Sequence, residues 1–125
     1  MKKEILGIGI DSVDIARIKE ACEKWGERFL QKTFTDKELL YCQKKVYMFQ
    51  HLAGRFAAKE AVFKALGVGW PAISFSEIEV VNSSGPPSVR LFGKSKKIAE
   101  KKQITSILIS ISHTDSKAEA IAICQ

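Results

Sequence analysis

The sequence predicts an α+β fold in which an antiparallel β-sheet packs on one long central helix. Three observations predict it. At about 100° per residue, the stretch over residues 48–66 is apolar almost all the way round, which marks a helix buried on most of its circumference. The chain opens on a short apolar run, passes through helical patterns, and reaches further strand patterns only after the long helix. Residues 104–112 alternate Ile, Leu and Ser, and residues 118–124 return as a last strand.

The elements follow in order. Residues 5–10 are an apolar, glycine-containing run that ends at Asp11, and they read as a buried strand. Ser12 or Asp14 is placed to cap the next helix. There Ile15, Ile18, Cys22, Trp25 and Phe29 recur at 3-4-3-4 spacing as one apolar stripe, with Arg17, Lys24 and Arg28 on a face away from it. Gly26 bends or ends that helix. Thr35-Asp-Lys-Glu38 is a capping box that opens a short helix carrying Leu39 and Leu40. Residues 43–47 read as a basic turn. The central helix stops at Gly67, and residues 67–71 form a loop. Residues 78–81 and 88–92 flank Asn82-Ser-Ser-Gly-Pro-Pro87, a hairpin whose loop is longer than two residues. Residues 94–102 make a short lysine-rich helix. With no repeat, low-complexity tract or linker, residues 1–125 are expected to form a single domain.

Composition narrows the function classes. At 125 residues and 46% hydrophobic the chain can bury a real core, which excludes disorder. A net charge of +6 suits an acidic or polyanionic partner: nucleic acid, a phosphorylated small molecule or an acidic protein. Three scattered cysteines, Cys22, Cys42 and Cys124, argue against a disulfide framework or structural zinc and for a reducing cytoplasm. No apolar run approaches the ~18 residues that span a bilayer. The start resembles a leader only faintly: its apolar part is short, lies between Glu4 and Asp11 and lacks a small-residue cleavage site. A soluble protein that stays where it is made is the expectation.

Several residues carry possible chemistry, each beside a plainer reading. Glu60 lies in the apolar central helix, where a buried carboxylate is costly without a partner, a proton or a metal. Lys64, four residues on, offers an ion pair in the favourable order. Asp11 ends a strand before a helix and reads either as an N-cap or as a carboxylate offered to a ligand. Magnesium is commonly held by one or two protein carboxylates together with substrate phosphates, so Asp11 and Glu60 would suffice if they meet. Ser110-Ile-Ser-His113-Thr closes a strand with hydroxyls and an imidazole that can grip phosphate, although a lone strand-end His is commonly structural. His51 reads as structural. No P-loop, dinucleotide fingerprint, HExxH or nucleophile elbow is present.

Three blocks in order carry a resemblance: Gly7-Ile-Gly-Ile-Asp11-Ser-Val-Asp-Ile, then Leu52-Ala-Gly-Arg-Phe-Ala-Ala-Lys-Glu60-Ala-Val-Phe-Lys64-Ala-Leu-Gly, then Ser110-Ile-Ser-His113-Thr. Together they resemble the holo-[acyl-carrier-protein] synthases, the small type of 4′-phosphopantetheinyl transferase, over nearly the whole chain. The resemblance implies transfer of 4′-phosphopantetheine from coenzyme A to a serine of apo acyl carrier protein, with adenosine 3′,5′-bisphosphate released, in fatty acid biosynthesis. It implies an α+β fold and a homotrimer with active sites between subunits. By the same resemblance Asp11 and Glu60 hold Mg2+, Glu60 activates the serine, and Lys64 neutralises a phosphate. Arg55 and His113 contact coenzyme A phosphates, Asn82 to Pro87 form the adenine-side loop, and Arg17, Lys24 and Arg28 meet the acidic carrier. The chain departs from the family pattern at Val68 and Pro86, and Lys44 and Lys45 align with the family's basic loop residues only after a shift, so no phosphate role is assigned to them; none of these touches the implied magnesium ligands.

Two other classes compete. A small basic nucleic-acid-binding module would account for the charge and for the lysines of residues 94–102. It lacks aromatics interleaved with the cations as a stacking platform. In a plain oligomeric scaffold, Glu60 and Lys64 would only pair with each other.

Overall fold

The computed structural model describes residues 4–125. Strand β1 (Gly7–Asp14) leads into helices α1 (Ile15–Trp25), α2 (Glu27–Thr33) and α3 (Asp36–Gln43) and then the long α4 (Met48–Leu66). A short 3-10 turn (Phe75–Glu77), β2 (Ile78–Val81), β3 (Ser88–Leu91), α5 (Gly93–Lys101), β4 (Ile107–His113) and β5 (Lys117–Cys124) follow. The strands form two antiparallel sheets rather than one, ordered β1-β5-β4 and β2-β3.

Helix α4 ends as the sequence reads, on Gly67 in the left-handed conformation with φ 76°. Its apolar circumference is explained by what surrounds it. The sheet β1-β5-β4 covers one side, and α1, α3 and β2 pack on the others. The contact with β1 is made backbone to backbone. A Cβ added at Gly7 would collide with the Ala65 carbonyl, and one at Gly9 with the Ala61 carbonyl. Small residues line the neighbouring strand too: Ala118, Ala120 and Ala122 of β5 are fully or almost fully buried beneath the sheet.

That packing corrects the reading of residues 5–10 as a buried strand. Strand β1 begins at Gly7 and runs on to Asp14, paired with β5 in register from Gly7↔Cys124 to Asp14↔Lys117. Its even-numbered side chains point away from α4, leaving Ile8 61% and Ile10 64% exposed. Across the sheet, Ile8 lies opposite Ile123, which lies opposite Leu108; Ile10 lies opposite Ile121, which lies opposite Ser110. The outer sheet face is therefore an apolar surface, bounded by the Ser12, Glu119 and Ser112 row.

Other boundaries move for local reasons. The first helix divides at Gly26, whose φ of 56° breaks the α conformation, so Trp25 is exposed rather than part of one continuous stripe. Asp14 stands at the α1 N-cap without a side-chain cap hydrogen bond. Strand β4 starts at Ile107, because Thr105 and Ser106 instead donate their backbone N–H groups to the Gln125 carbonyl.

Glu60 is not among the buried charges of α4, which are Arg55 and Lys59. Lys59 is fully buried and pairs with an equally buried Glu38 at 2.7 Å. Glu38 closes the capping box on Thr35 and accepts the Val80 N–H at 2.8 Å, while Lys59 also donates to the carbonyls of Phe75 and Ile78. One ion pair thus ties α3, α4 and β2 together with its hydrogen-bonding capacity used. Removing one partner of such a pair typically costs about 3–5 kcal/mol, because the other charge is left buried alone.

Candidate active site

Asp11 sits on the odd-numbered, helix-facing side of β1, two residues beyond Gly9. Because glycine lets β1 lie flat on α4, the Asp11 carboxylate is delivered beside the helix turn that carries Glu60 and Lys64. Lys64 Nζ donates to the Ile10 carbonyl at 2.8 Å and to Asp11 Oδ1 at 3.3 Å. The ion pair of Lys64 is therefore made with Asp11, 53 residues away, and not with Glu60.

Glu60 is half-buried and opens with Asp11 into a cleft of about 270 Å³ that Ser12, Arg17, Ile18 and Phe56 also line. Burial raises the Glu60 carboxyl above its usual range, and the charge of Asp11 raises it further; Lys64 and Arg17 pull the other way. Two carboxylates opening into one cleft are a donor set for a hard cation. Among the described residues no group of three or more His, Cys, Asp or Glu side chains could hold a metal, so the arrangement is a two-carboxylate one. That suits a cation that completes its shell with water and substrate oxygens. Glu60 and Lys64 also border a second opening, beside Phe63, Val68, Trp70 and Phe75.

The other site residues of the sequence reading form a separate group. Arg55 is only 3% exposed. Its Nη1 donates to the His51 carbonyl at 3.3 Å, its Nη2 donates to Asn82 Oδ1, and its guanidinium lies over the Tyr41 ring at 4.3 Å. Arg55 Nε is buried without a partner, and no carboxylate pairs with this guanidinium among the described residues. His113, at the end of β4, brings its ring to 6.4 Å from that of His51. Asn82 and a half-buried Pro87 bracket the β2–β3 loop. Arg55 and Glu60 are five residues apart, so they stand about 7.5 Å apart along α4 and about 140° around it. One chain thus points its carboxylate pair and its buried guanidinium to different sides of one helix.

Arg17, Lys24 and Arg28 are all exposed. Arg17 reaches the carboxylate cleft, Lys24 lies over the Trp25 ring at 5.2 Å, and Arg28 borders an apolar groove with Trp25, Phe29, Trp70 and Phe75. Sequence reasoning missed Tyr41, Lys45 and the ring of His51 as neighbours of Arg55. No local spacing brings α3 against α4, and the one available signal was a His inside an apolar helix.

The residues 7–124 match the model of the 4′-phosphopantetheinyl transferase superfamily. The holo-[acyl-carrier-protein] synthase of Halothermothrix orenii is 44% identical over 120 residues, 95% of this chain and 96% of that one. That of Carboxydothermus hydrogenoformans is 45% identical over 116 residues, 93% of each chain. Among solved structures, the holo-[acyl-carrier-protein] synthase of Neisseria meningitidis superposes with a TM-score of 0.89 at 32% identity, over 98% of this chain and 99% of that one. The Helicobacter pylori enzyme, solved in complex with coenzyme A, gives 0.83 at 35% identity, over 94% and 99%. With the family model matched over almost the whole chain, and the relatives alike in length and fold, this chain belongs to the 4′-phosphopantetheinyl transferase superfamily, among the holo-[acyl-carrier-protein] synthases.

Proposed function

We propose that this chain moves 4′-phosphopantetheine from coenzyme A to a serine hydroxyl of an apo acyl carrier protein, with Mg2+ held by Asp11 and Glu60. The observation that carries the reading is the Asp11–Glu60 pair sharing one cleft, with Lys64 at its edge, on a protein of net charge +6. Mg2+, when bound, would supply charge neutralisation at the pyrophosphate and Lewis-acid polarisation of the reacting phosphoryl group.

The remaining work falls to the chain's own side chains. Glu60, half-buried at the cleft, accepts the serine proton as the serine oxygen forms its bond to phosphorus. The bond from that phosphorus to the bridging oxygen breaks, and the leaving group departs as adenosine 3′,5′-bisphosphate. Lys64, whose side chain is 54% exposed, is free to turn from Asp11 toward the phosphate oxygens. Arg55 and His113 hold phosphates of coenzyme A; a buried guanidinium without a carboxylate partner is suited to that role. The Asn82–Pro87 loop borders the adenine. Arg17, Lys24 and Arg28 give the acidic carrier a cationic face beside the cleft.

The same reading includes a homotrimer. The carboxylate pair and the Arg55 group face different sides of α4, which supports sites completed between subunits. The exposed face of Ile8, Ile10 and Leu108 supports association through the sheet. Three free cysteines suit a reducing cytoplasm, with fatty acid biosynthesis as the pathway served. The test is loading of apo carrier protein with coenzyme A and Mg2+, read as a mass gain on the carrier. The reading expects a gain that Asp11→Ala reduces by about 10²-fold or more. No gain in the wild type, or full activity in Asp11→Ala, sinks it.

A further inference from the structure

The carboxylate cleft leaves unused a group of cations around the first half of α4. Arg55 stacks over Tyr41, and Lys45 Nζ lies 4.7 Å from the centroid of that same ring. The His51 ring stands 5.9 Å from Tyr41 and 6.4 Å from His113. The groups facing His51 are thus Arg55 on its own helix, Tyr41 of α3, Lys45 in the turn after α3, and His113 from β4. None of these cations has a carboxylate partner among the described ion pairs. Like charges brought together on a half-buried surface disfavour one another until an anion joins them. The buried guanidinium, with one N–H left unpaired, points to a phosphate as that anion.

We propose that His51 is a proton-gated wall of the phosphate pocket: it is neutral while the pocket is empty and takes up a proton as a coenzyme A phosphate settles beside Arg55 and His113. The proposal rests on the functional reading above, which assigns phosphates to Arg55 and His113 and gives His51 no part. The empty state follows from the geometry. Burial first, and then the charges of Arg55, Lys45 and His113, hold the His51 imidazole below its ordinary value. A phosphate ester of charge near −2 reverses the local field and makes the imidazolium favourable. Binding and protonation then assist each other, and each unit by which the phosphate raises the imidazole is about tenfold in phosphate affinity at low pH. The phosphate's own titration has the opposite sign, because a cationic pocket draws its proton off.

Calorimetry on the full chain, with adenosine 3′,5′-bisphosphate as the probe and buffers of different ionisation enthalpy, reads the protons taken up on binding near pH 6.5. The wild type is expected to take up protons and to bind more tightly at pH 6 than at pH 8. His51→Gln is expected to abolish the uptake and to bind about tenfold more weakly at pH 6, with the difference closing by pH 8. His51→Arg, with a fixed charge, is expected to bind tightly at both pH values without uptake. His113→Gln is expected to weaken binding but to keep the uptake. Uptake that survives His51→Gln, or tight wild-type binding with no uptake, overturns the proposal. If neither the bisphosphate nor coenzyme A binds at all, the functional reading itself fails and the gate falls with it.

Discussion

At the scale of single residues, the proposed function puts two opposed demands on Glu60. Holding a cation would require its charge, yet its surroundings favour the proton. Its carboxyl binds a proton more tightly in the folded chain than in the unfolded one. Its contribution to stability is therefore full below the unfolded carboxylate value and is lost as pH rises through the raised folded value. In metal-free protein at neutral pH, Glu60→Gln is expected to match or exceed the wild type in melting temperature, and the wild type is expected to lose ground to the variant as pH rises from acid to neutral. Added Mg2+ is expected to raise the wild type and leave the variant unmoved. Scanning calorimetry from pH 4 to 7, with and without the ion, checks both; a clear loss of stability in metal-free Glu60→Gln contradicts the account. The same residue shows the limit of sequence reasoning. The spacing made Glu60 and Lys64 partners, because they are neighbours on a helix. The structure pairs Lys64 with Asp11, because a strand 53 residues away lies on that helix. Lys59, one residue from Glu60, is fully buried. Only the three-dimensional arrangement of α3 and β2 supplies the acid that explains it.

At the scale of elements, legibility followed how local each determinant is. The ends of α4, the α3 capping box and the β2–β3 hairpin are set by residues within one turn or loop, and the sequence shows them. The true length of β1, the break at Gly26 and the division into two sheets depend on pairing partners or on backbone torsions, which composition does not display. Gly7 and Gly9 are the sharpest case. Sequence reasoning placed them in the first of the three blocks and excluded a dinucleotide fingerprint, but gave them no structural task. The structure shows them as the surface on which β1 touches α4. Gly9→Ala is expected to destabilise the fold by about 3 kcal/mol, through overpacking against a backbone that cannot yield. Urea unfolding measures this. A cost below about 0.5 kcal/mol would mean that β1 can lift off α4 freely.

At the scale of the whole molecule, the face formed by Ile8, Ile10, Leu108, Ile121 and Ile123 is an apolar sheet surface that the isolated chain leaves uncovered. If it is covered by other copies, a charge placed there dissociates them. Ile10→Asp is expected to shift the sedimentation mass from three chains to one and to lose transfer activity with it, while far-UV circular dichroism stays folded. A wild type that sediments as one chain at micromolar concentration removes the trimer from the functional reading but leaves the Asp11–Glu60 site standing. The competing nucleic-acid reading finds little in the fold. The exposed lysines of α5 include Lys96, Lys97 and Lys101, and no exposed aromatic is interleaved with them on that helix.

The bare contact between β1 and α4 has a last consequence. Asp11 belongs to the strand and Glu60 to the helix, so the distance between their α-carbons is set where two main chains touch, with no side chain as a spacer. Side chains vary in volume and rotamer; main-chain atoms do not. The glycines act as a ruler for the two carboxylates. Substitutions elsewhere in the core can change how tightly the protein is packed, but they leave that measure alone.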